Sequence, residues 1–361
     1  MSAQLVELLT QPRRPRVLVL GDVMLDRYLW GDVDRISPEA PVPVLRIARQ
    51  EYRAGGAGSV AAMLRGLEAD VVLAGVTGED EEARIVRRLL KDLRINAAGL
   101  LKAADRVTTL RERFLGQTHG RHPQLMLRVD REETRPIDAA SANRLLESVW
   151  RHLDRIDLVL LSDDGKGVCA GGLVPQLVAI ARAAGVRVVA DPSRLADYHG
   201  YAGCGCITVN RIEAGLTAGL RIATPEDGLE AARRLLAFGV ESAAVTLDGD
   251  GIAWADRPDG GRVFPARTRE VYDVTGAGEM VLAAVGYCLA AGADWPAAIE
   301  MANLAAGLEV ERQGAVPLGR SELLAELART RGGQTALPPP GRGMGRGQQC
   351  NPPPNASRST R

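Results

Sequence analysis

Aromatic residues are scarce, at 4% of the 361 residues, too few to supply stacking platforms for bases or glycans. An excess of charge of one sign is missing too. The 45 Lys and Arg balance the 45 Asp and Glu, so the sequence offers no global basic field to hold nucleic acid. No run reaches the 18 apolar residues of a membrane span; the longest candidate, Met280 to Ala291, is short and interrupted by Gly286. Met1 to Gln11 lacks the charged start and apolar stretch of a secretory signal. Cysteine and histidine are sparse. Of five cysteines only Cys204 and Cys206 are close, and His119, His122, His152 and His199 supply no zinc spacing. The odd cysteine count fits a reducing compartment. A cytoplasmic protein with no nucleic-acid and no membrane partner is expected.

What the sequence does hold is alternation. Arg16 to Leu20, Val71 to Gly75, Leu158 to Ser162, Val186 to Ala190, Ile207 to Asn210 and Ala243 to Leu247 are short apolar runs, the pattern of buried parallel strands. Helical patterns separate them at Ser59 to Leu67, Glu79 to Leu93, Gly172 to Ala184, Thr224 to Phe238 and Gly278 to Ala291. Alternating βα units predict a mostly parallel sheet covered by helices on both faces, a three-layer α/β/α fold. Residues 41–47, with two prolines, read as an edge strand, and 107–129 as two half-exposed strands joined by a loop. These segments predict a small separate sheet. Ala54 to Gly58 reads as a flexible turn. The expected organisation is an extension over 1–12, one domain over 13–332, and a disordered tail over 333–361. That tail has six prolines, four arginines and no acidic residue.

The stretch Asp273 to Val281 carries the most chemistry. A glycine turn runs directly into an apolar helix, so the amides of Gly276, Ala277 and Gly278 are expected to open that helix unpaired, a cradle for an anion. Glycine at 276 and 278 lets a ligand approach the backbone closely. Glu279, just inside the helix, can accept a proton from an attacking hydroxyl; the alternative is an acid that merely favours the helix dipole.

Asp273 with Thr275, Gly276, Ala277 and Gly278 resembles the signature of the ribokinase-like, or PfkB, carbohydrate kinases. Other pieces match in order. Gly55, Gly56 and Ala57 resemble the N-terminal glycine motif. Asn210, Arg211, Ile212 and Glu213 resemble the N-x-x-E motif of the metal–phosphate network. Thr246 to Gly251, with Gly249, resembles the turn bordering the nucleotide, and Asn303 falls on the adenine-side helix. Gly21 to Arg27, Arg35 to Pro43, Leu161 to Asp163 with Lys166 and Gly167, and Glu270 to Val274 are similar to the kinase domain of the bifunctional heptose enzymes of ADP-heptose synthesis. The resemblance covers roughly residues 13–330 and implies a ribokinase-like fold with a β lid. It implies transfer of the γ-phosphoryl of ATP, with Mg²⁺ and in some relatives a monovalent cation, to the anomeric hydroxyl of D-glycero-β-D-manno-heptose 7-phosphate. The product, a 1,7-bisphosphate, feeds lipopolysaccharide core synthesis.

The roles carried over are these. Glu279 is the base, and Gly276, Ala277 and Gly278 hold the transferred phosphoryl group. Asn210, Arg211, Ile212, Glu213, Thr246, Gly249, Gly251 and Asn303 take ATP, with Glu213 reaching the metal through water. Asp22, Asp26, Arg35, Gly55, Gly56 and Ser59 take the sugar. The lid is also a candidate homodimer interface. Each has a plainer alternative: Asp22 and Asp26 as strand-end caps, Arg35 as a surface charge, Asn210 and Glu213 as a helix cap. Three positions depart from the family pattern. Glu279 replaces Asp, Ser59 replaces Asn, and Ser193 replaces the Lys of Asp-Pro-Lys. The departures leave open a catalytically weak nucleotide- or sugar-binding protein, or a kinase for another sugar. No H-x-G-H motif occurs, so nucleotidyl transfer is expected from a separate protein.

Overall fold

The computed structural model describes residues 2–117, 122–194, 196–256, 260–266 and 271–331. Of the sequence expectations, the tail over 333–361, the lid loop at 118–121 and Glu270 lie outside the described residues.

A nine-strand path forms the central sheet. Its order is Arg262–Phe264, Ile252–Asp256, Ser242–Thr246, Cys206–Asn210, Arg187–Asp191, Leu158–Ser162, Arg16–Ile36, Asp70–Thr77 and Asn96–Lys102. All pairs are parallel except those made by Ile252–Asp256, which is antiparallel to both neighbours. The inner strands are apolar throughout because both faces are covered. Leu158 to Ser162 are all buried. Two core clusters result, one on each side of the sheet. The helix Ala277–Ala290 is buried from Met280 onward, and its Gly286 lets the backbone pass Leu160 so closely that a Cβ there would meet the leucine side chain at 2.7 Å.

The strand beginning at Arg16 does not end at Leu20, as its apolar run suggests; it continues to Ile36. Arg16 to Asp22 pair within the central sheet. From Val23 onward the same strand pairs antiparallel with Pro43–Gly56, and from Met24 parallel with Thr109–Gln117. Thr109–Gln117 in turn pairs with Gln124–Arg131. The expected lid sheet is therefore present, but it is welded to the core by one continuous chain. Its edge strand covers 43–56 rather than 41–47. Ala54 to Gly58 is not a flexible turn: the strand runs to Gly56 and a helix starts at Ala57.

The N-terminal residues also differ from an appendage. Ser2–Thr10 is a helix whose Leu5, Leu8 and Leu9 are buried in the main core. The chain closes with a helix, Arg320–Arg331, whose Leu323 and Leu327 join that core.

Candidate active site

The helix start at Gly276 has the form the sequence suggests, with one amendment. Gly276 adopts φ +98°, and a Cβ there would lie 2.7 Å from the Ala315 Cβ and 2.8 Å from a Glu309 oxygen. Only glycine fits. Gly278 faces the other way: nothing lies within 4 Å of a Cβ placed on it. Among the described residues no side chain accepts from the amides of 276–278; the Ala277 N–H donates to the Val274 carbonyl at 3.3 Å. Ala277 is thus engaged in the turn, and the amides of Gly276 and Gly278 are the ones left for an anion. The carboxylate of Asp273 fixes the approach, accepting from Thr275 N and Gly314 N at 2.9 Å each.

Glu279 is half-buried beside this turn. Burial pushes its carboxyl above the usual range, Asp164 and Asp26 add to the push, and its own backbone N–H and Arg111 oppose it. A carboxylate raised in this way suits a general base near neutral pH.

Across from Glu279 stand the glycines of the second strand's end. A Cβ on Gly55 would meet Asp26 at 3.0 Å, and one on Gly56, at φ +57°, would meet Asp164 at 2.9 Å. Both acids are paired with lid arginines: Arg113 with Asp26 at 3.0 Å and Arg111 with Asp164 at 2.8 Å. Gly55, Gly56, Asp26 and Glu279 are therefore brought together, with Ser59 buried just behind in the first turn of the helix Ala57–Gly66. Arg111, Arg113 and Asp164 complete the group and were not singled out in the sequence. The available signal was the alternation of Arg111 and Arg113, which places both on one face of a strand.

Two sugar-side expectations fare differently. Asp22 is buried and its carboxylate accepts from three backbone amides, Asp164 at 2.9 Å, Lys166 at 3.0 Å and Val168 at 3.1 Å. It organises the turn over 163–168 instead of facing the cleft, which is the plainer strand-end role. Burial nonetheless raises its carboxyl to about 7, the Lys166 amide opposing and Asp163 and Asp164 reinforcing. Arg35 is exposed. It lies nine residues beyond Asp26 on the same strand, past irregularities at 30–31 and 33–36.

On the other side, Asn210 and Thr246 are register partners at the ends of adjacent strands. Asn210 caps the helix Arg211–Ala218, accepting from Ile212 N and Glu213 N, and Glu213 returns the bond to Asn210 N at 3.0 Å. The plain capping box is therefore present. Arg211 pins the following turn through Asp248 at 2.9 Å and Asp250 at 2.7 Å. Ile212 is exposed. Gly251 takes φ +105°, and Gly249 borders open space. Asn303 spends its amide on the carbonyls of Phe264 and Pro265, at 3.3 and 2.9 Å, tying its helix to the sheet edge.

Asp191 joins the two sides. Its carboxyl is raised well above the usual range by burial, then by Glu213, Glu279, Asp164 and Asp163. Such a gathering of carboxylates fits a cation carried on a nucleotide. Among the described residues no three His, Cys, Asp or Glu side chains lie close enough to hold a metal by themselves, so phosphate oxygens and water would supply most ligands. Ser193, at the family lysine position, donates to Asp163 at 3.1 Å, as does Tyr201 at 2.6 Å.

The family model for pfkB carbohydrate kinases matches residues 14–319. The bifunctional protein HldE of Desulfatibacillum aliphaticivorans is 38% identical over 313 residues, 86% of this chain and 63% of that protein. Its namesake in Syntrophotalea carbinolica is 39% identical over 314 residues, 87% and 63% respectively. The chain thus spans 63% of the length of these curated relatives. Among solved structures, Arabidopsis thaliana ribokinase complexed with ribose and ATP has a TM-score of 0.67 and 18% identity, covering 87% of this chain and 99% of that one. Escherichia coli phosphofructokinase-2 in complex with potassium has a TM-score of 0.69 and 17% identity, covering 88% and 99%. No helix among the described residues is long and apolar enough to cross a membrane.

Proposed function

The chain belongs to the pfkB family of carbohydrate kinases, and we propose that it moves the γ-phosphoryl group of ATP to the anomeric hydroxyl of D-glycero-β-D-manno-heptose 7-phosphate. One observation carries the reading: the helix start over Gly276 to Gly278 has no side-chain cap, borders open space at Gly278, and has Glu279 beside it. Amides so placed hold an incoming phosphoryl group without a reorganisation cost. The heptose assignment rests on the sequence blocks at 21–43 and on the similarity to HldE proteins.

In this reading Glu279 takes the acceptor proton. Asp26, held by Arg113, hydrogen-bonds the sugar across Gly55 and Gly56, and Arg111 balances Asp164 beside the reacting centre. The lid keeps water from competing with the sugar hydroxyl. Asn210, Glu213, Thr246 and the turn at 249–251 border the nucleotide. Bound Mg²⁺ would neutralise the triphosphate, with Asp191 and Glu213 as its nearest indirect partners. A monovalent cation and a homodimer through the lid complete the proposal.

Glutamate at 279, where the family pattern has aspartate, favours a second reading, a protein that binds these ligands and turns over slowly, because a base displaced by about 1 Å can cost on the order of 10²-fold. A coupled ADP-release assay over a panel of sugar phosphates separates the two. ADP release with heptose 7-phosphate supports the kinase. Ligand-induced thermal stabilisation without ADP release supports the binding protein.

A further inference from the structure

One face of the lid sheet carries a row of side chains that reaches beyond the sugar end of the site. Strand alternation places Asp26 and Tyr28 on that face. Arg53, of the strand Pro43–Gly56, is the register partner of Asp26 and so shares the face. Tyr28 is buried, with the Arg53 guanidinium 4.6 Å from its ring centre and that of Arg113 5.1 Å away. Glu51, two residues earlier on the same strand, accepts from Arg53 Nε at 2.7 Å. That contact orients the guanidinium and leaves Nη1 for a partner elsewhere.

The partner lies at the far end of the chain. Arg53 Nη1 donates to the carbonyls of Gln313 at 3.2 Å and Ala315 at 3.3 Å. Between them Gly314 takes φ +68°, and a Cβ there would meet Arg53 Nη1 at 2.6 Å and the Tyr28 ring and hydroxyl at 2.9 Å. Only glycine lets the loop press this closely on the lid. The other side of the same loop builds the anion turn. Gly314 N donates to one oxygen of Asp273 at 2.9 Å, and the second oxygen accepts from Thr275 N. Ala315 is the wall against which Gly276 packs, 2.7 Å from a Cβ placed there. The Arg53 side chain is 19% exposed, so these charge-assisted bonds are largely shielded from water and salt.

We propose that Arg53 is a positioning residue for phosphoryl transfer: it fixes the loop over 313–315 against the lid and, through Gly314 and Asp273, sets the turn whose amides receive the phosphoryl group. It acts through that loop and not on a ligand. Because Asp26 is its register partner, one pair of lid strands places both the acceptor's partner and the anchor of the anion turn. Acceptor and phosphoryl group are thereby aligned by a single piece of structure, which is what an in-line transfer needs.

This inference rests on phosphoryl transfer at that turn, and two measurements on the full chain separate the two. The variants are Arg53→Met, which keeps the aliphatic length and loses the donors, and Arg53→Lys, which keeps the charge. Amide hydrogen exchange, which needs no substrate, is expected to speed up about tenfold or more at Gly314 and Thr275 in Arg53→Met and to stay unchanged over 158–162. In ADP release with ATP, Mg²⁺ and D-glycero-D-manno-heptose 7-phosphate, Arg53→Met is expected to lower kcat about tenfold or more with both KM values within about threefold of wild type. Arg53→Lys is expected to restore part of each. Unchanged exchange at Gly314 and Thr275, faster exchange spread evenly over the whole chain, or a loss seen only as a raised KM for the sugar overturns the positioning role and leaves the functional reading in place. A wild type that releases no ADP overturns both.

Discussion

At the scale of single residues, Glu279 is the sharpest case. Removing its charge with Glu279→Gln is expected to lower kcat by 10²-fold or more, in the range of general-base losses. Glu279→Asp, which restores the shorter side chain, is expected to preserve or raise kcat. Steady-state kinetics on the two variants check this. Because the group must be ionised to act and its carboxyl is raised by burial and by Asp164, kcat is expected to fall on acidification at a pH above the ordinary carboxylate range.

Glu309 offers a second residue-scale test, on stability. It is fully buried, its two oxygens have no hydrogen-bond partner, and burial with Glu279 and Asp273 nearby pushes its carboxyl up to about 8 from 4.5. The unfolded chain releases that proton near pH 4.5, while the folded protein keeps it until about pH 8. Stability is therefore lost as pH rises through this window, by at most a few kcal/mol. Glu309→Gln, which stays neutral, is expected to flatten the pH dependence and raise Tm at pH 8; a Tm profile that keeps the wild-type slope would remove Glu309 as its source. None of this could be read from sequence. A glutamate after Leu308 on a helical pattern resembles a solvent-facing charge, and only the close packing against Gly276 buries it. Asp164 and Arg111 escaped for the same reason: they are 53 residues apart, and each looks like surface charge until the lid brings them to 2.8 Å.

At the scale of elements, the two glycines at the helix start separate structure from chemistry. Gly276→Ala would place a methyl against Ala315 and Glu309 at positive φ, and is expected to lower Tm by several degrees. Gly278→Ala meets open space and should leave Tm unchanged or slightly raised, since alanine favours a helix. If a phosphoryl group occupies that space, Gly278→Ala nonetheless costs 10²-fold or more in kcat/KM. Melting and kinetics on both variants check the pair. The buried strands at 158–162, 187–191, 206–210 and 242–246 were legible because parallel strands covered on both faces are apolar throughout. The continuation of the first strand from Val23 to Ile36 was not. Asp22, Asp26 and Arg27 interrupt the apolar run, and the burial of the two acids depends on backbone amides and an arginine supplied from distant parts of the chain.

For the whole molecule, the lid carries a group of exposed apolar side chains: Ile36, Val42, Ile47, Leu125, Leu127 and Val129 are each 40% or more exposed. Patches of this kind mark association surfaces. The lid is continuous with the core through the strand Arg16–Ile36, so pairing of two lids would stiffen the roof over each site. Light scattering is expected to give a dimer that Leu127→Glu shifts to monomer; a monomeric wild type at micromolar concentration would contradict it. Phosphoryl transfer at Gly276, Gly278 and Glu279 is what the lid and the nucleotide side both serve. Its most direct test is ³¹P NMR of the protein with ATP, Mg²⁺ and D-glycero-β-D-manno-heptose 7-phosphate. A new anomeric phosphate signal should grow with wild type and be lost with Glu279→Gln. Equal growth with both proteins, or ATP consumed with no anomeric signal, would contradict it.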